Sequence, residues 1–186
     1  MFDKLVVSFL VDEVVGGFFV SVPPGHVAAV YDWGRGVLRH TWGPGLHFKL
    51  PFWQTAKLFN AQTLEYTVSS SFSMTNKENL GDEPISASTQ DGHQVVIQGT
   101  ILFKIDKDHI VHLWENIGED FVSKIVRPFS RSRIRQVISQ VSSAQLASYR
   151  GDIERKIKEE LESEFGSKGL IVEGVLLSDI TPATPS

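Results

Sequence analysis

The stretch ISASTQDGHQVVIQGTILFKID, residues 85 to 106, constrains this chain more than any other. Apolar and polar residues that alternate with period two belong to strands buried on one face, so two arms flanking Asp91-Gly92 predict a hairpin. That dipeptide suits a type I′ turn, which needs positive φ at both central positions. Val95, Ile97, Ile101, Phe103 and Ile105 then share the inner face, and a sheet must form around it.

Shorter strands precede this hairpin. After the rigid VPPG at 22 to 25, HVAAVYD reads as a strand and WGRG as a turn. In LHFKL, Leu46, Phe48 and Leu50 alternate with His47 and Lys49, which predicts a half-buried strand with those three facing the core. KLF and LEYTV continue the pattern, and SSSFSMTNKENLGDEP, without periodicity, reads as a loop.

From Asp106 the period becomes helical. A short helix is expected through DHIVHLWENIG and a longer one from Glu119 to Val141, kinked or divided at Pro128. Phe121, Ile125, Phe129, Ile134, Val137, Ile138 and Val141 form its buried stripe. A third helix carries Ile153, Ile157, Leu161 and Phe165 at intervals of four, and LIVEGVLLSDI, with little polar relief, is expected as a closing strand well inside the sheet.

With 186 residues, 41% of them apolar, the chain can bury a real core, and a net charge of −4 speaks against a nucleic-acid binder. No cysteine occurs, which removes disulfides, thiolate nucleophiles and cysteine zinc sites. His109 and His112, three apart on a helix, and His93 are the one candidate acid-base or metal group, and without a further ligand at suitable spacing they are expected to be solvated or capping side chains. No phosphate-binding loop, GxSxG or HExxH is present, so no cofactor and no catalytic residue is expected.

LVVSFLVDEVVGGFFVSV, residues 5 to 22, is nearly a membrane span, but Asp12 and Glu13 interrupt it. Its twelve Leu, Val and Phe contribute roughly −5 kcal/mol to insertion and the acidic pair takes back about as much. Wound as a helix, Val7, Val11, Val14, Val15 and Phe18 share a face away from both acids, so the segment suits the plane of a membrane surface, or else a buried first element of the domain. Lys124, Arg127, Arg131 and Arg135 make a basic stripe with two readings: a face solvated or paired with acids of the following helix, or a dock for anionic lipid or an acidic neighbouring subunit.

VPPGHVAAVYDWGRGVL, GPGLHFKLPFWQTAKLF, the hairpin above, IGEDFVSKIVRPFSRSRIRQVISQ, YRGDIERKIKEEL and GLIVEGVLLSDI, in this order, resemble the SPFH (band 7) domain of stomatins, prohibitins and flotillins, nearest to bacterial prohibitin- or stomatin-like members. The resemblance runs from about Val22 to Ile180. It implies an α+β domain with a β-rich part over 22 to 105 and a helical part over 106 to 180 closed by a returning strand, after a membrane-association segment at 1 to 21. It also implies a non-enzymatic scaffold at a cell membrane, with lipid, further copies in an oligomer or ring, and membrane proteins such as AAA-type proteases as partners, and no nucleic acid. A soluble adaptor without membrane contact is the other reading.

Under the first, Phe2, Leu5, Phe9, Leu10, Val14, Phe18 and Phe19, together with Trp42, Phe52 and Trp53, would touch the membrane, with Phe48 either among them or in the core. The basic stripe would face lipid or a neighbouring subunit. The sequence departs from the family pattern at Asp12-Glu13 and at its ending, SDITPATPS, where relatives continue into a coiled coil; residues 181 to 186 make a short tail there.

Overall fold

A computed structural model describes residues 17 to 71 and 80 to 182. The chain divides into two compact units: one holds the chain up to Gln62 together with Ile105–Asn116, the other Thr63–Lys104 and the chain from Ile117 onward.

The first unit is built on β1 (Phe19–Val22), β2 (His26–Asp32), β3 (Gly36–Val37), β4 (Gly45–Phe48), β5 (Gln54–Asn60) and the short helix α1 (Ile110–Asn116), which a 3-10 turn at Lys107–His109 introduces. Strand β2 lies between β3 and β5, antiparallel to both. Its Val27, Ala28, Ala29 and Val30 are consecutively buried, because a strand with neighbours on both edges and cover on both faces has no side left for polar residues. Ile110 and Leu113 bury one face of α1, and the Trp114 ring meets Phe59 edge-on at 6.1 Å. Strands β1 and β4 form a separate antiparallel ribbon pairing Phe19 with Phe48 and Ser21 with Leu46.

The second unit contains β6 (Leu64–Val68), β7 (Gly81–Asp82), β8 (Ile85–Ser88), most of β9 (Gln94–Ile105), helices α2 (Arg127–Ser139), α3 (Ser143–Ser148) and α4 (Arg150–Gly166), and β10 (Leu170–Pro182). The sheet runs β10-β9-β6-β7, with β8 also paired to β9. Val95, Ile97, Ile101, Phe103 and Ile105 of β9 are buried, as their alternation predicts. Phe103 meets Phe121 and Phe165 edge-on, each at 6.4 Å, so one aromatic from the long strand engages both α4 and the helical turn that leads into α2. Ile153, Ile157, Leu161 and Phe165 bury the inner face of α4 at the spacing of the stripe.

Two expectations are corrected. The hairpin turn is not type I′: Gly92 has φ 80° and Asp91 does not join it, since Phe52 has the one positive φ outside glycine among the described residues. Instead, Gly92 N–H donates to Thr89 C=O at 3.0 Å and Thr89 N–H to His93 C=O at 2.9 Å, a three-residue turn. That leaves the Asp91 carboxylate free to accept Ser143 Oγ–H at 2.6 Å and its N–H at 3.2 Å at the start of α3. These bonds, with one from the Thr89 hydroxyl, hold Asp91 well below the usual carboxylate range.

The helical run is divided at Pro128, as expected: the chain before it is widened into a π-helical turn at Val122–Val126, and α2 starts at Arg127 with Pro128 in its first turn, where its missing N–H removes a bond to the preceding turn.

Strand β10 is the sheet's edge, not an inner strand. Leu170, Val172, Val175 and Leu177 face inward, where β10 packs on α4, while Ile171, Glu173 and Leu176 are exposed. The outward positions include apolar residues, so the sequence hides an alternation that also slips by one residue at Glu173-Gly174. Of the expected loop at 69 to 84, residues 72 to 79 lie outside the described residues, and Gly81–Asp82 pairs in parallel with β6.

Gly99 of β9 is a glycine for a steric reason: a Cβ there would stand 2.5 Å from the Leu176 carbonyl of β10. Gly99→Ala is therefore expected to cost about 1–3 kcal/mol, read as a lower urea midpoint at unchanged slope. An unchanged midpoint would contradict so close an approach of the two strands.

Candidate functional site

Twelve large apolar side chains stand exposed among the described residues, and nine of them (Phe19, Tyr31, Trp33, Leu46, Phe48, Leu50, Phe52, Trp53 and Leu58) belong to the first unit. Such a concentration marks an interaction surface, since isolated exposed apolar residues are ordinary and clusters are not.

The cluster has a local cause. In the β1–β4 ribbon Val22 is buried on one side, while Phe19, Leu46 and Phe48 share the other. Leu46 is 70% exposed and Phe48 58%, so the apolar face of LHFKL points outward, the reverse of the core face expected for it. Alternation fixes which residues share a face, not which face is covered. Phe48 gathers the aromatic rings at the start of β1, stacking on Phe18 just before the strand at 5.7 Å and meeting Phe19 edge-on at 5.9 Å.

Beyond β4 the chain turns sharply. Gln54 N–H donates to Leu50 C=O at 2.9 Å, and the Gln54 side-chain carbonyl accepts Leu50 N–H at 3.1 Å, closing a loop around Pro51, Phe52 and Trp53. Phe52 takes φ 65°, a conformation costly for a bulky residue, and its side chain is 77% exposed.

The same Gln54 donates its amide N–H to the buried Asp32 carboxylate at 3.0 Å, and Asp32 also accepts Gly34 N–H at 3.0 Å. The Gln54 bond is the main influence holding Asp32 below its ordinary range; burial opposes it, and Gly34 N–H and the Arg35 guanidinium support it. Trp33 N–H donates to Trp53 C=O at 3.0 Å, and the two indoles lie 6.0 Å apart at 55°.

Of the side chains expected at a membrane, Phe52, Trp53 and Phe19 are exposed and linked through this ribbon and turn, and Phe18 is half-buried beside them. Trp42 is half-buried, hydrogen-bonded through its backbone to Ala28 and stacked on His47 at 5.1 Å. Phe2, Leu5, Phe9, Leu10 and Val14, with Asp12 and Glu13, lie outside the described residues. Trp33, Tyr31 and Leu58 were not anticipated; a tryptophan at the tip of the DWGRG turn is the one signal that could have pointed to them. No described helix is long and apolar enough to cross a membrane.

The basic stripe lies on the second unit, turned toward backbone carbonyls. Arg131 donates to Glu83 C=O at 2.9 Å and pairs with Asp82 at 3.2 Å; Arg127 pairs with Asp82 at 3.3 Å; Arg135 donates to Ser86 C=O at 3.0 Å and Lys124 to Ile117 C=O at 2.6 Å. Arg133, outside the stripe, is the residue that pairs with Glu164 of α4. Asp82 lies 3.4 Å from the fully buried Tyr66 hydroxyl, whose pKa burial raises first and the Asp82 charge second.

The three histidines have local partners: His93 has Asp91 at 3.8 Å, His109 has Asp106 at 2.7 Å and His112 has Asn116 at 3.0 Å. No group of three or more potential metal ligands occurs among the described residues.

Residues 20 to 184 match the SPFH domain / Band 7 family. The chain belongs to that family. Among curated proteins it is similar to Prohibitin 1 of Mus musculus, 24% identical over 168 residues, which is 90% of this chain and 56% of that protein. It is also similar to Prohibitin 1 of Drosophila melanogaster, 21% identical over 90% of this chain and 55% of that protein, and to Prohibitin-1 of Saccharomyces cerevisiae, 21% identical over 87% and 51%. The chain thus spans about half the length of the curated relatives it matches. The mixed α+β architecture, β-rich first and helical later, is that of an SPFH domain.

Gln54 is the hub of the exposed face, so Gln54→Ala is expected to lower the melting temperature by about 2–6 °C at pH 7. Asp32 has a depressed folded pKa, so its contribution is present above the ordinary carboxylate pKa and lost as pH falls through the folded value. Gln54→Ala raises that folded value, so the gap to the parent protein should narrow below about pH 4. A gap independent of pH would remove Asp32 from the explanation.

Proposed function

We propose that this SPFH domain is a non-enzymatic, membrane-associated scaffold that contacts the bilayer through the first unit, assembles with further copies and organises or regulates membrane proteins, proteases among them. The carrying observation is the outward ribbon and turn with Phe19, Leu46, Phe48, Leu50, Phe52 and Trp53 exposed together. Aromatic side chains suit the membrane–water interface, because the ring is apolar and the edge tolerates headgroups. Family membership supports the wider role of assembly and confinement of membrane proteins, and such a role needs no catalytic residue. On this reading the three arginines of α2 serve first to hold the β7–β8 segment and Lys124 to hold the Ile117 carbonyl, and lipid or a neighbouring subunit meets only the parts of them left exposed.

Flotation of the full chain with liposomes tests the membrane contact. Phe52→Ala with Trp53→Ala is expected to lower partitioning about tenfold or more, since two interfacial aromatics are removed. Unchanged partitioning would move attachment away from this face, and a full chain that never floats would favour a soluble adaptor.

A further inference from the structure

Between the two exposed turns of the first unit lies a cleft of about 420 Å³, lined by Asp32, Trp33, Gly34, Arg35, Leu50 and Trp53. Its walls are the Trp33 and Trp53 indoles, 65% and 58% exposed, set as a wedge at 55°. The wedge is fixed by backbone, through Trp33 N–H to Trp53 C=O. At its base is the Asp32 carboxylate, with 9% of its side chain exposed, and at its rim Arg35 lies 3.5 Å from that carboxylate with 71% of its side chain exposed.

We propose that this cleft takes the phosphoammonium headgroup of a zwitterionic phospholipid, ethanolamine or choline. The proposal rests on the membrane reading above. Indole faces attract an alkylammonium, and a carboxylate beside them supplies its counter-charge. The Arg35–Asp32 pair is loose, at 3.5 Å with 71% of the Arg35 side chain in solvent. Its guanidinium can therefore turn to a phosphate while the ammonium takes its place beside Asp32. A zwitterionic headgroup carries those two charges two carbons apart, whereas an anionic headgroup without an ammonium would draw Arg35 to its phosphate and leave the Asp32 carboxylate without a cation in its place. Leu50 lines the cleft and Phe52 follows it in the same exposed turn, which continues the site into apolar surface and identifies a lipid, not a small soluble ester, as the source.

The test uses the full chain with two probes. Glycerophosphocholine, followed by the indole N–H resonances, should give saturable shifts of Trp33 and Trp53 but not of Trp42 and Trp114, and Arg35→Gln should weaken that binding several-fold. In flotation, Trp33→Leu, which keeps apolar bulk, and Asp32→Asn, which keeps shape, should each lower binding to phosphatidylcholine vesicles about fivefold or more and leave binding to phosphatidylglycerol vesicles unchanged. Phe52→Ala should lower both.

Equal losses on the two lipids, or none, overturn the headgroup site while the membrane reading stands. If Asp32→Asn does not fold, Arg35→Gln and Trp33→Leu decide. If vesicles of neither composition bind the parent chain, the membrane reading fails; shifts by glycerophosphocholine alone would then replace the lipid by a soluble phosphoammonium ester, and absence of shifts removes the site.

Discussion

A two-stranded ribbon can offer only one of its faces to a core. The β1–β4 ribbon buries Val22 on one side and must leave Phe19, Leu46 and Phe48 on the other, because the pairing of Phe19 with Phe48 sets all three on the same face. The exposed character of the first unit follows from that pairing. The neighbouring turn extends it, since Gln54 closes the loop that presents Phe52 and Trp53 and also holds the buried Asp32, so the tips at Trp33 and Trp53 are anchored to one side chain. A strained Phe52 backbone fits a surface held for contact, where a side chain must point out at some conformational cost.

The second unit has a different logic. One long strand, β9, borders β6 and β8 along one edge and β10 along the other, and its Phe103 engages Phe121 and Phe165. Gly99 lets β10 come close, and Arg127, Arg131 and Arg135 hold the short β7–β8 segment through its carbonyls and Asp82. A charged stripe on a helix is in this case chiefly an internal clamp. Three exposed large apolar side chains remain there, Tyr149, Ile171 and Leu176, against nine on the first unit.

Much of this was legible in the sequence, and the failures share a cause. Period-two and period-3.6 patterns located β2 and β6 and placed β9 and the stripe of α4 with the correct inner residues, because burial of one face is what those periods record; of the other stripe Phe121, Ile125, Ile134, Val137 and Ile138 are buried, while Phe129 and Val141 are half-buried. The same patterns could not say whether Leu46 and Phe48 face core or solvent, nor that β10 is an edge, since its outward positions are themselves partly apolar. The turn at Asp91-Gly92 was located but mistyped, because a distant partner, Ser143, claims the Asp91 carboxylate. Asp82 as the clamp's acid was hidden in a stretch that lacks any period, and Trp33 was hidden in a turn whose glycines explained its local shape without its exposure.

The central claim, that the exposed face of the first unit meets the bilayer, is tested most directly by depth. Nitroxide labels at positions 52 and 176 of the full chain, bound to vesicles, can be read against lipid-soluble oxygen and a water-soluble nickel complex. The account predicts that position 52 collides preferentially with oxygen while position 176 remains in water. Bound protein in which both labels stay in water, or in which position 176 is the deeper, would contradict it.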